Sequence, residues 1–485
     1  MSTLPKPADV FDREAEWQAL SRFATSESPD VRLGVVSGRR RMGKTFLLDA
    51  LAHAAGGFYY AATDATETVT LADLGAALAA RTGGGQYAFA NWDDALQQLF
   101  RVVPEGVIVL DEFPYLSRVA PALPSLIQRA LGPRGYARRS GARLLLCGSA
   151  LSVMGQLLSG TAPLRGRASL ELVLQPLGYR EAAEFWGVTD PRLAVLLYSV
   201  VGGTPAYRRE FVAGDAPDGL ADFGPWVERT VLSPQVPLFR EARYLLAEDS
   251  DIRDTTIYHA VLAAIAAGNN TRGGIASYVG RKSPDIGHPL AVLEDSQLIR
   301  RETDPLRTGR SWYRISEPLI VFYEAVMRRQ WTRLELGDSA GVWDSSQAAF
   351  LAQVAGPGFE QICRSWAFSA PEGIFDDRPA TVAATIVTDP GRRDQIEVDV
   401  AALSGDEPGR PRRVLSLGEV KWGKIMTMRH LDRLRRARDL LSVRGLNTEG
   451  ARLACYSGAG FDDDLRAAAA ENEQILLISP GDLYT

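Results

Sequence analysis

The first third of the chain alternates short apolar runs with segments of helical periodicity. Strand-like runs cover 31–37, 57–61, Val107–Asp111 and Arg143–Gly148, and a helix pattern over 44–55 follows the first run. This alternation predicts a parallel sheet with helices on both of its faces. Because sites in such sheets lie at the carboxyl ends of the strands, chemistry is expected in the residues that follow these runs.

The pattern changes twice more along the chain. Helical periodicity dominates from Pro176 to about 245, and three helix patterns with a strand-turn-strand follow over 254–315. From about 349 a helix, three strands, a basic helix and a strand-helix-strand set indicate a separate α/β unit. We predict four parts: an α/β core at 1–177, a helical lid at 178–248, a winged helix-turn-helix at 249–335 and a C-terminal α/β domain at 345–485.

The first strand leads into a complete phosphate-loop motif. Residues 38–45 read Gly-Arg-Arg-Arg-Met-Gly-Lys-Thr, which fits G-x-x-x-x-G-K-[ST] at every fixed position. The glycines let backbone N–H groups and the next helix N-terminus face a phosphate, Lys44 would reach the β and γ phosphates, and Thr45 would bind Mg²⁺. The residues predicted to hold the nucleotide are Gly38, Arg39, Arg40, Arg41, Met42, Gly43, Lys44, Thr45, Phe46, Asp111 and Ser149.

Two carboxylates end the strand Val107–Asp111. Asp111 would hold magnesium together with Thr45, and Glu112 would act as general base for the attacking water. The alternative, two solvated acids at a strand tip, is disfavoured by the phosphate loop upstream. Ser149, which follows the strand Arg143–Gly148, is a candidate sensor of the γ-phosphate.

An arginine that stabilises the transition state from a neighbouring subunit is also expected. The candidates are Arg165 and Arg167, which flank Gly166; the alternative is a pair of surface arginines in a turn. A finger acting in trans would require a homo-oligomer.

Residues from about 11 to 320 resemble the archaeal-type AAA+ ATPase family of prokaryotes. The resemblance is carried by the phosphate loop, by Leu-Asp-Glu-Phe-Pro-Tyr at 110–115, by Leu-Cys-Gly-Ser at 146–149, and by the later motifs at 164–167, 176–181 and 202–207. It implies an AAA+ P-loop core with a lid and a winged helix, and ATP rather than GTP. It also favours Arg167 over Arg165 as the finger.

The C-terminal part holds a second set of candidate residues, Glu360, Asp399, Glu419 and Lys421. Glu419 and Lys421 share one face of a predicted strand, since residues two apart point the same way. Carboxylates that bind Mg²⁺ beside a lysine suit phosphodiester hydrolysis, with Asp399 and Glu419 as the metal ligands. Glu397 lies two residues before Asp399 and is an alternative to it.

The order of helix Glu, strand Asp and strand Glu-x-Lys resembles the PD-(D/E)xK nuclease superfamily. The matching segments are Gly-Phe-Glu at 358–360, Glu-Val-Asp-Val at 397–400 and Leu-Gly-Glu-Val-Lys-Trp at 417–422. The resemblance implies a Mg²⁺-dependent nuclease, with Mn²⁺ as a possible substitute. The alternative is an inactive nuclease-like domain that only binds.

Composition and charge narrow the partners. The net charge is −5, so general nucleic-acid affinity is not expected. The segment from Lys421 to Arg444, however, contains eight Lys or Arg and only two Asp or Glu. DNA is therefore expected at the winged helix and at the basic helix 428–444. The chain shows no secretory signal or membrane-length apolar run, and its three scattered cysteines suit buried thiols in the cytoplasm.

The expected function is an ATPase coupled to a DNA nuclease. The alternative is a nucleotide-dependent switch or scaffold whose C-terminal domains bind DNA or protein without cleavage.

Overall fold

The computed structural model describes residues 4–28, 32–247, 255–307, 309–406 and 412–485. The chain divides into two compact units, the first ending at Pro176 and the second beginning at Leu177. The predicted boundary at 248–249 lies outside the described residues, and the division into four parts stays a prediction.

The first unit is built on five parallel strands in the order β2-β3-β4-β1-β5. The central strands β1, β3 and β4 are buried at every position, as expected when helices cover both faces. The strands are β1 (Leu33–Ser37), β2 (Phe58–Ala61), β3 (Val107–Asp111), β4 (Arg143–Gly148) and β5 (Ala168–Val173).

Two hydrophobic cores lie on the two faces of this sheet. One packs α1 and α2 against Val107, Val109 and Leu145, and the other packs α3, α4 and α6 against Ile108 and Leu110. The helices of the first unit are α1 (Glu14–Thr25), α2 (Lys44–Ala54), α3 (Glu67–Thr82), α4 (Trp92–Val102), α5 (Phe113–Val119), α6 (Leu123–Leu131) and α7 (Leu151–Gln156).

The second unit begins with a helical region and continues into a small domain. The helical region holds α8 (Tyr179–Trp186), α9 (Pro191–Val201), α10 (Phe223–Arg229) and α11 (Leu238–Ala247). The small domain has α12 (Thr255–Ala266), α13 (Arg272–Val279), α14 (Gly287–Asp295) and the antiparallel hairpin β6 (Ile299–Thr303) and β7 (Ser311–Ile315). We call this hairpin the wing.

Helical segments lead from the wing to a mixed five-stranded sheet. These segments are α15 (Pro318–Phe322), α16 (Trp331–Glu335), α17 (Ser339–Phe350) and α18 (Gly356–Phe368). The sheet order is β12-β11-β10-β9-β8, with β8, β9 and β10 antiparallel and β10, β11 and β12 parallel. Its elements are β8 (Thr381–Asp389), β9 (Asp394–Leu403), β10 (Val414–Lys421), α19 (Met428–Val443), β11 (Arg452–Ser457), α20 (Asp463–Glu471), β12 (Ile475–Ile478) and α21 (Pro480–Leu483).

The structure confirms the α/β character, the parallel sheet of the first unit and the C-terminal order of helix and strands. Residue 31, which we included in the first strand, lies outside the described residues. The three cysteines are buried and free of disulfides, as predicted. Within the described ranges, no helix combines the length and apolar character that crossing a membrane requires.

Candidate functional sites

The loop between β1 and α2 has the conformation that a phosphate cradle needs. Gly43, the residue before α2, has a φ of 81°, a left-handed conformation in which a residue with a side chain would be strained. A Cβ on Gly38 would lie 2.7 Å from the carbonyl oxygen of Leu174. The loop therefore requires glycine at both fixed positions, once for conformation and once for space.

Lys44 folds back onto its own loop. Its Nζ donates to the carbonyl oxygens of Gly38 at 2.6 Å and Arg39 at 2.7 Å. The side chain is buried, and this burial lowers the pKa of Lys44. The ammonium group is therefore held by neutral acceptors, which an anionic phosphate would outmatch.

The ends of β3 and β4 meet the loop. Thr45 Oγ1 donates to Asp111 Oδ2 at 2.8 Å, and Ser149 Oγ donates to the Glu112 carboxylate at 2.8 Å. A hydroxyl beside a carboxylate is an oxygen donor set that suits Mg²⁺. The sequence did not point to Tyr59 of β2, whose hydroxyl donates to the same Asp111 oxygen at 2.6 Å.

The remaining predicted loop residues differ in their exposure. Arg39 and Met42 are buried. Arg40 donates to the Tyr115 hydroxyl at 3.2 Å, and Phe46 is exposed on the first turn of α2.

Both arginines proposed as fingers lie on the surface, before β5. Arg165 donates to the carbonyl oxygen of Gly160 at 2.6 Å, and Arg167 is exposed. Exposure is required for a role in trans, and the choice between them stays a prediction.

In the second unit, the neighbouring strands β9 and β10 separate at the predicted nuclease-like residues. The antiparallel register of β9 and β10 runs to the pair Gly418 and Val400, and one further step would place Glu419 opposite Asp399. At this point the N–H of Val420 donates to Asp399 Oδ2 at 2.7 Å. The Asp399 carboxylate thus takes the place of the backbone carbonyl oxygen that accepts such a bond in a continuous strand pair. On its other side, towards β8, β9 carries a bulge in which Asp399 and Val400 together lie opposite Ala384, a feature common beside active sites.

Asp399 is buried, whereas the alternative Glu397 is exposed. Burial raises the pKa of Asp399 to about 7, the neighbouring charge of Glu360 acts in the same direction, and Val420 N–H and Lys421 oppose them. The charges of Glu360 and Lys421 thus both act on the Asp399 carboxyl group, in opposite directions.

Glu419 is 2% exposed and is held by two cations. Its Oε1 lies 3.2 Å from Lys421 Nζ and 3.3 Å from an Arg433 nitrogen on α19. Its other oxygen, Oε2, is buried, and no described residue offers it a hydrogen bond. An unsatisfied carboxylate oxygen is a position that a cation would satisfy.

The wing reaches the same region with its own charges. Arg314 of β7 lies 2.7 Å from Glu302 of β6 and 3.9 Å from Glu360 of α18. The buried Arg364 donates to the carbonyl oxygen of Asp399 at 3.1 Å and lies 3.4 Å from Glu360. Arginines of the protein therefore already balance much of the carboxylate charge.

The wing is also seated on the C-terminal sheet. Thr385 of β8 donates to the buried Asp304 at 2.7 Å, and Arg412 donates to the carbonyl oxygen of Pro305 at 3.2 Å. Arg300 and Arg307 of the wing hydrogen-bond to side chains of α18 and β8. Nothing in the sequence pattern indicated this contact.

No group of three or more His, Cys, Asp or Glu side chains within the described residues is arranged to hold a metal ion. The predicted ligands Asp399 and Glu419 therefore stand as a two-carboxylate set, with Glu360 engaged by arginines.

Two helices bear on the expected DNA contacts, the basic helix α19 and α14 of the small domain. On α19, Arg433 pairs with Glu419 and Arg436 pairs with Asp389, while Arg429 is exposed. The exposed positions of α14 carry no lysine or arginine; they are His288, Ala291, Glu294 and Asp295. The charge of α14 is thus unsuited to a phosphate backbone.

No family model matches the chain. A protein of Methanocaldococcus jannaschii, MJECL04, is 27% identical over 316 residues, which are 64% of this chain and 67% of that protein. The solved structure of the Walker-type ATPase PABY2304 of Pyrococcus abyssi is 20% identical, with a TM-score of 0.49 over 67% of this chain and 98% of that one. The Aeropyrum pernix ORC2 protein, solved in ADPNP and ADP complexes, is 15% identical, with a TM-score of 0.43 over 72% of this chain and 98% of that one.

Proposed function

We propose that the chain is an AAA+ type P-loop ATPase that binds and hydrolyses ATP with Mg²⁺. One observation carries this proposal: the hydroxyl of Thr45 lies 2.8 Å from Asp111 Oδ2, and Glu112 follows directly, held by Ser149. The motif and the strand ends thereby supply a metal-binding pair and a base at one edge of the sheet.

Each residue has a separate task in this reaction. Backbone N–H groups of the loop and the N-terminus of α2 bind the phosphates, and Lys44 exchanges its two loop carbonyls for phosphate oxygens. Thr45 and Asp111 would hold Mg²⁺, which neutralises phosphate charge when bound. Glu112 orients the attacking water and accepts its proton, and Ser149 keeps that carboxylate in place.

The test is to separate binding from hydrolysis with Glu112→Gln. The rate of ATP hydrolysis is expected to fall roughly 100- to 10,000-fold while nucleotide binding persists, because only the base is removed. Glu67→Gln, at an exposed position of α3, is the matched control and should hydrolyse ATP as the native protein does. A Glu112→Gln protein with native hydrolysis would refute the assigned base.

The arginine finger belongs to the same proposal. The exposed Arg167, with Arg165 as the second choice, would complete the site of a neighbouring copy in a homo-oligomer. If one site takes Lys44 from one subunit and Arg167 from its neighbour, mixing Lys44→Ala with Arg167→Ala protein should partly restore hydrolysis. In a mixed oligomer, some sites then contain both native residues. No restoration at any mixing ratio would remove the role in trans.

For the second unit we propose a metal-dependent nuclease that acts on DNA. The specific observation is the combination of the separated strands at Asp399, the unsatisfied Oε2 of Glu419 and the lysine 3.2 Å from Oε1. Asp399 and Glu419 would hold Mg²⁺ or Mn²⁺, which would activate water when bound. Lys421 would stabilise charge on the scissile phosphate, and Glu360 would complete the acidic set.

A second candidate is a nucleotide-dependent scaffold whose C-terminal part binds DNA or protein without cleavage. It is favoured by Arg314 and Arg364, which already pair with Glu360. In that case the acids and arginines form a structural network rather than a metal site.

Glu419→Gln separates these two functions. For a nuclease, Mn²⁺ binding measured by electron paramagnetic resonance and Mn²⁺-dependent plasmid cleavage should both be lost, while ATP hydrolysis persists. The control Glu449→Gln, at an exposed position, should change neither. Native protein that hydrolyses ATP but neither binds Mn²⁺ at this site nor cleaves DNA would support the scaffold.

A further inference from the structure

Two adjacent tyrosines of β2 have different surroundings. Because neighbouring residues of a strand point to opposite faces, Tyr59 faces the core of α1 and α2, and Tyr60 faces the core of α3 and α4. The register pairs Tyr59 with Val109 and Ala61 with Asp111. Since residues two apart share a face, Tyr59 and Asp111 lie on the same face of adjacent strands.

The tyrosine ring spans the two-residue offset between them. Two residues of strand measure about 7 Å, which is close to the reach of a tyrosine side chain. The Tyr59 hydroxyl accordingly ends 2.6 Å from Asp111 Oδ2. Tyr60 instead donates to the carbonyl oxygen of Thr70 at 3.2 Å, away from the phosphate loop.

Both oxygens of Asp111 are engaged by donors. Oδ2 accepts from Tyr59 and from Thr45 at 2.8 Å, and Oδ1 accepts from the N–H of Glu112 at 2.8 Å. Of the two side-chain donors, Thr45 is also the residue that would ligate Mg²⁺. Tyr59 has no such second task, so it restrains the carboxylate whether or not the metal is present.

We propose that Tyr59 is a positioning residue that orients Asp111 for Mg²⁺-nucleotide. This assignment rests on the proposed ATPase function and adds a residue outside the phosphate-loop motif to its magnesium site. Outer partners of metal ligands generally matter for affinity, because they fix the direction of the ligating oxygen.

The experiment compares Tyr59→Phe with Tyr60→Phe. Each substitution removes one hydrogen-bonded hydroxyl from the same strand and keeps the ring, but only the first touches Asp111. A fluorescent ATP analogue is titrated at a series of Mg²⁺ concentrations and again in excess EDTA. For Tyr59→Phe, the Mg²⁺ concentration at half-maximal binding is expected to rise about 10-fold, with metal-free nucleotide affinity unchanged. Tyr60→Phe should behave as native.

The outcomes distinguish this inference from the function on which it rests. Native-like Mg²⁺ dependence in Tyr59→Phe, with normal nucleotide binding, would overturn the positioning role alone. An equal shift in Tyr60→Phe would also overturn it, because the effect would then be one of strand packing. Absence of nucleotide binding in the native protein would overturn the ATPase function together with this role.

Discussion

The two candidate sites differ in what holds their charged groups before any ligand arrives. In the first unit, the Lys44 ammonium donates to neutral carbonyl oxygens of its own loop. In the second, Glu419 and Glu360 are paired with cations from β10, α18, α19 and the wing. An anion entering the first site gains charge-assisted bonds, whereas a metal entering the second must compete with guanidinium groups.

This difference separates a site ready for its ligand from one that is balanced without it. When a phosphate binds at the loop, Lys44 exchanges neutral carbonyl oxygens for anionic phosphate oxygens, which are stronger acceptors. Binding at the C-terminal carboxylates depends on how firmly the wing is seated, since Arg314 belongs to the wing.

Among the variants that test this contrast between the two sites, Lys44→Ala is expected to have the largest effect. Removing the cation takes away the main side-chain partner of the phosphates, and ATP hydrolysis should fall roughly 100- to 1,000-fold. Steady-state phosphate release measures the loss. The control is Lys424→Ala, an exposed lysine in the second unit, which should leave hydrolysis unchanged. Hydrolysis in Lys44→Ala at the native rate would show that the ammonium is not the phosphate partner.

The next effect concerns the charge network of the wing. Burial would raise the pKa of Glu302, but Arg314 and Arg300 outweigh it and lower the value to about 2 from an ordinary 4.5. A folded-state pKa below the unfolded one gives stability that is present above pH 4.5 and lost as the pH falls toward 2. The full contribution is on the order of 3 kcal/mol.

Urea unfolding followed by tryptophan fluorescence checks this pH dependence. Seven of the nine tryptophans lie in the second unit, so the signal reports mainly on it. The native protein should lose more stability between pH 6 and pH 3 than Glu302→Gln, which has no titrating group at this position. Glu335→Gln, at an exposed site, should retain the native pH slope. Equal slopes in all three proteins would contradict the lowered pKa.

The sequence predicted most of the first site and less of the second, for a physical reason. Every fixed position of the phosphate loop lies within eight consecutive residues, and parallel strands end at one edge, so Asp111 and Ser149 could be placed beside it. The partner Tyr59 could not, because its contact depends on strand register. The wing contact was equally hidden, since Arg314 meets Glu360 only through tertiary packing.

A smaller effect should follow from Thr385→Val, which removes the hydroxyl that seats the wing. The buried Asp304 would keep only the N–H of Leu306 on the oxygen that Thr385 now serves. Leaving a buried carboxylate short of a donor costs about 1–3 kcal/mol, measurable as a lower urea midpoint. The exposed Thr332→Val is the control. Unchanged stability would mean that other contacts seat the wing.

The smallest effect is expected at Arg429, and it bears on whether the second unit engages DNA at all. Arg433 and Arg436 pair with acids of their own domain, so of the three arginines at helix spacing Arg429 is the one placed to meet a phosphate from outside. Arg429→Gln should weaken duplex binding a few-fold, independently of sequence, and should reduce the slope of log affinity against log salt by about 1. Arg101→Gln, an exposed arginine of the first unit, should leave that slope unchanged.

If native protein shows no salt-dependent DNA binding, the balanced network of the second unit is better explained as the structural core of a scaffold. In that case the two candidate sites differ in kind: the phosphate loop binds a ligand, whereas the charge network of the second unit only stabilises the fold.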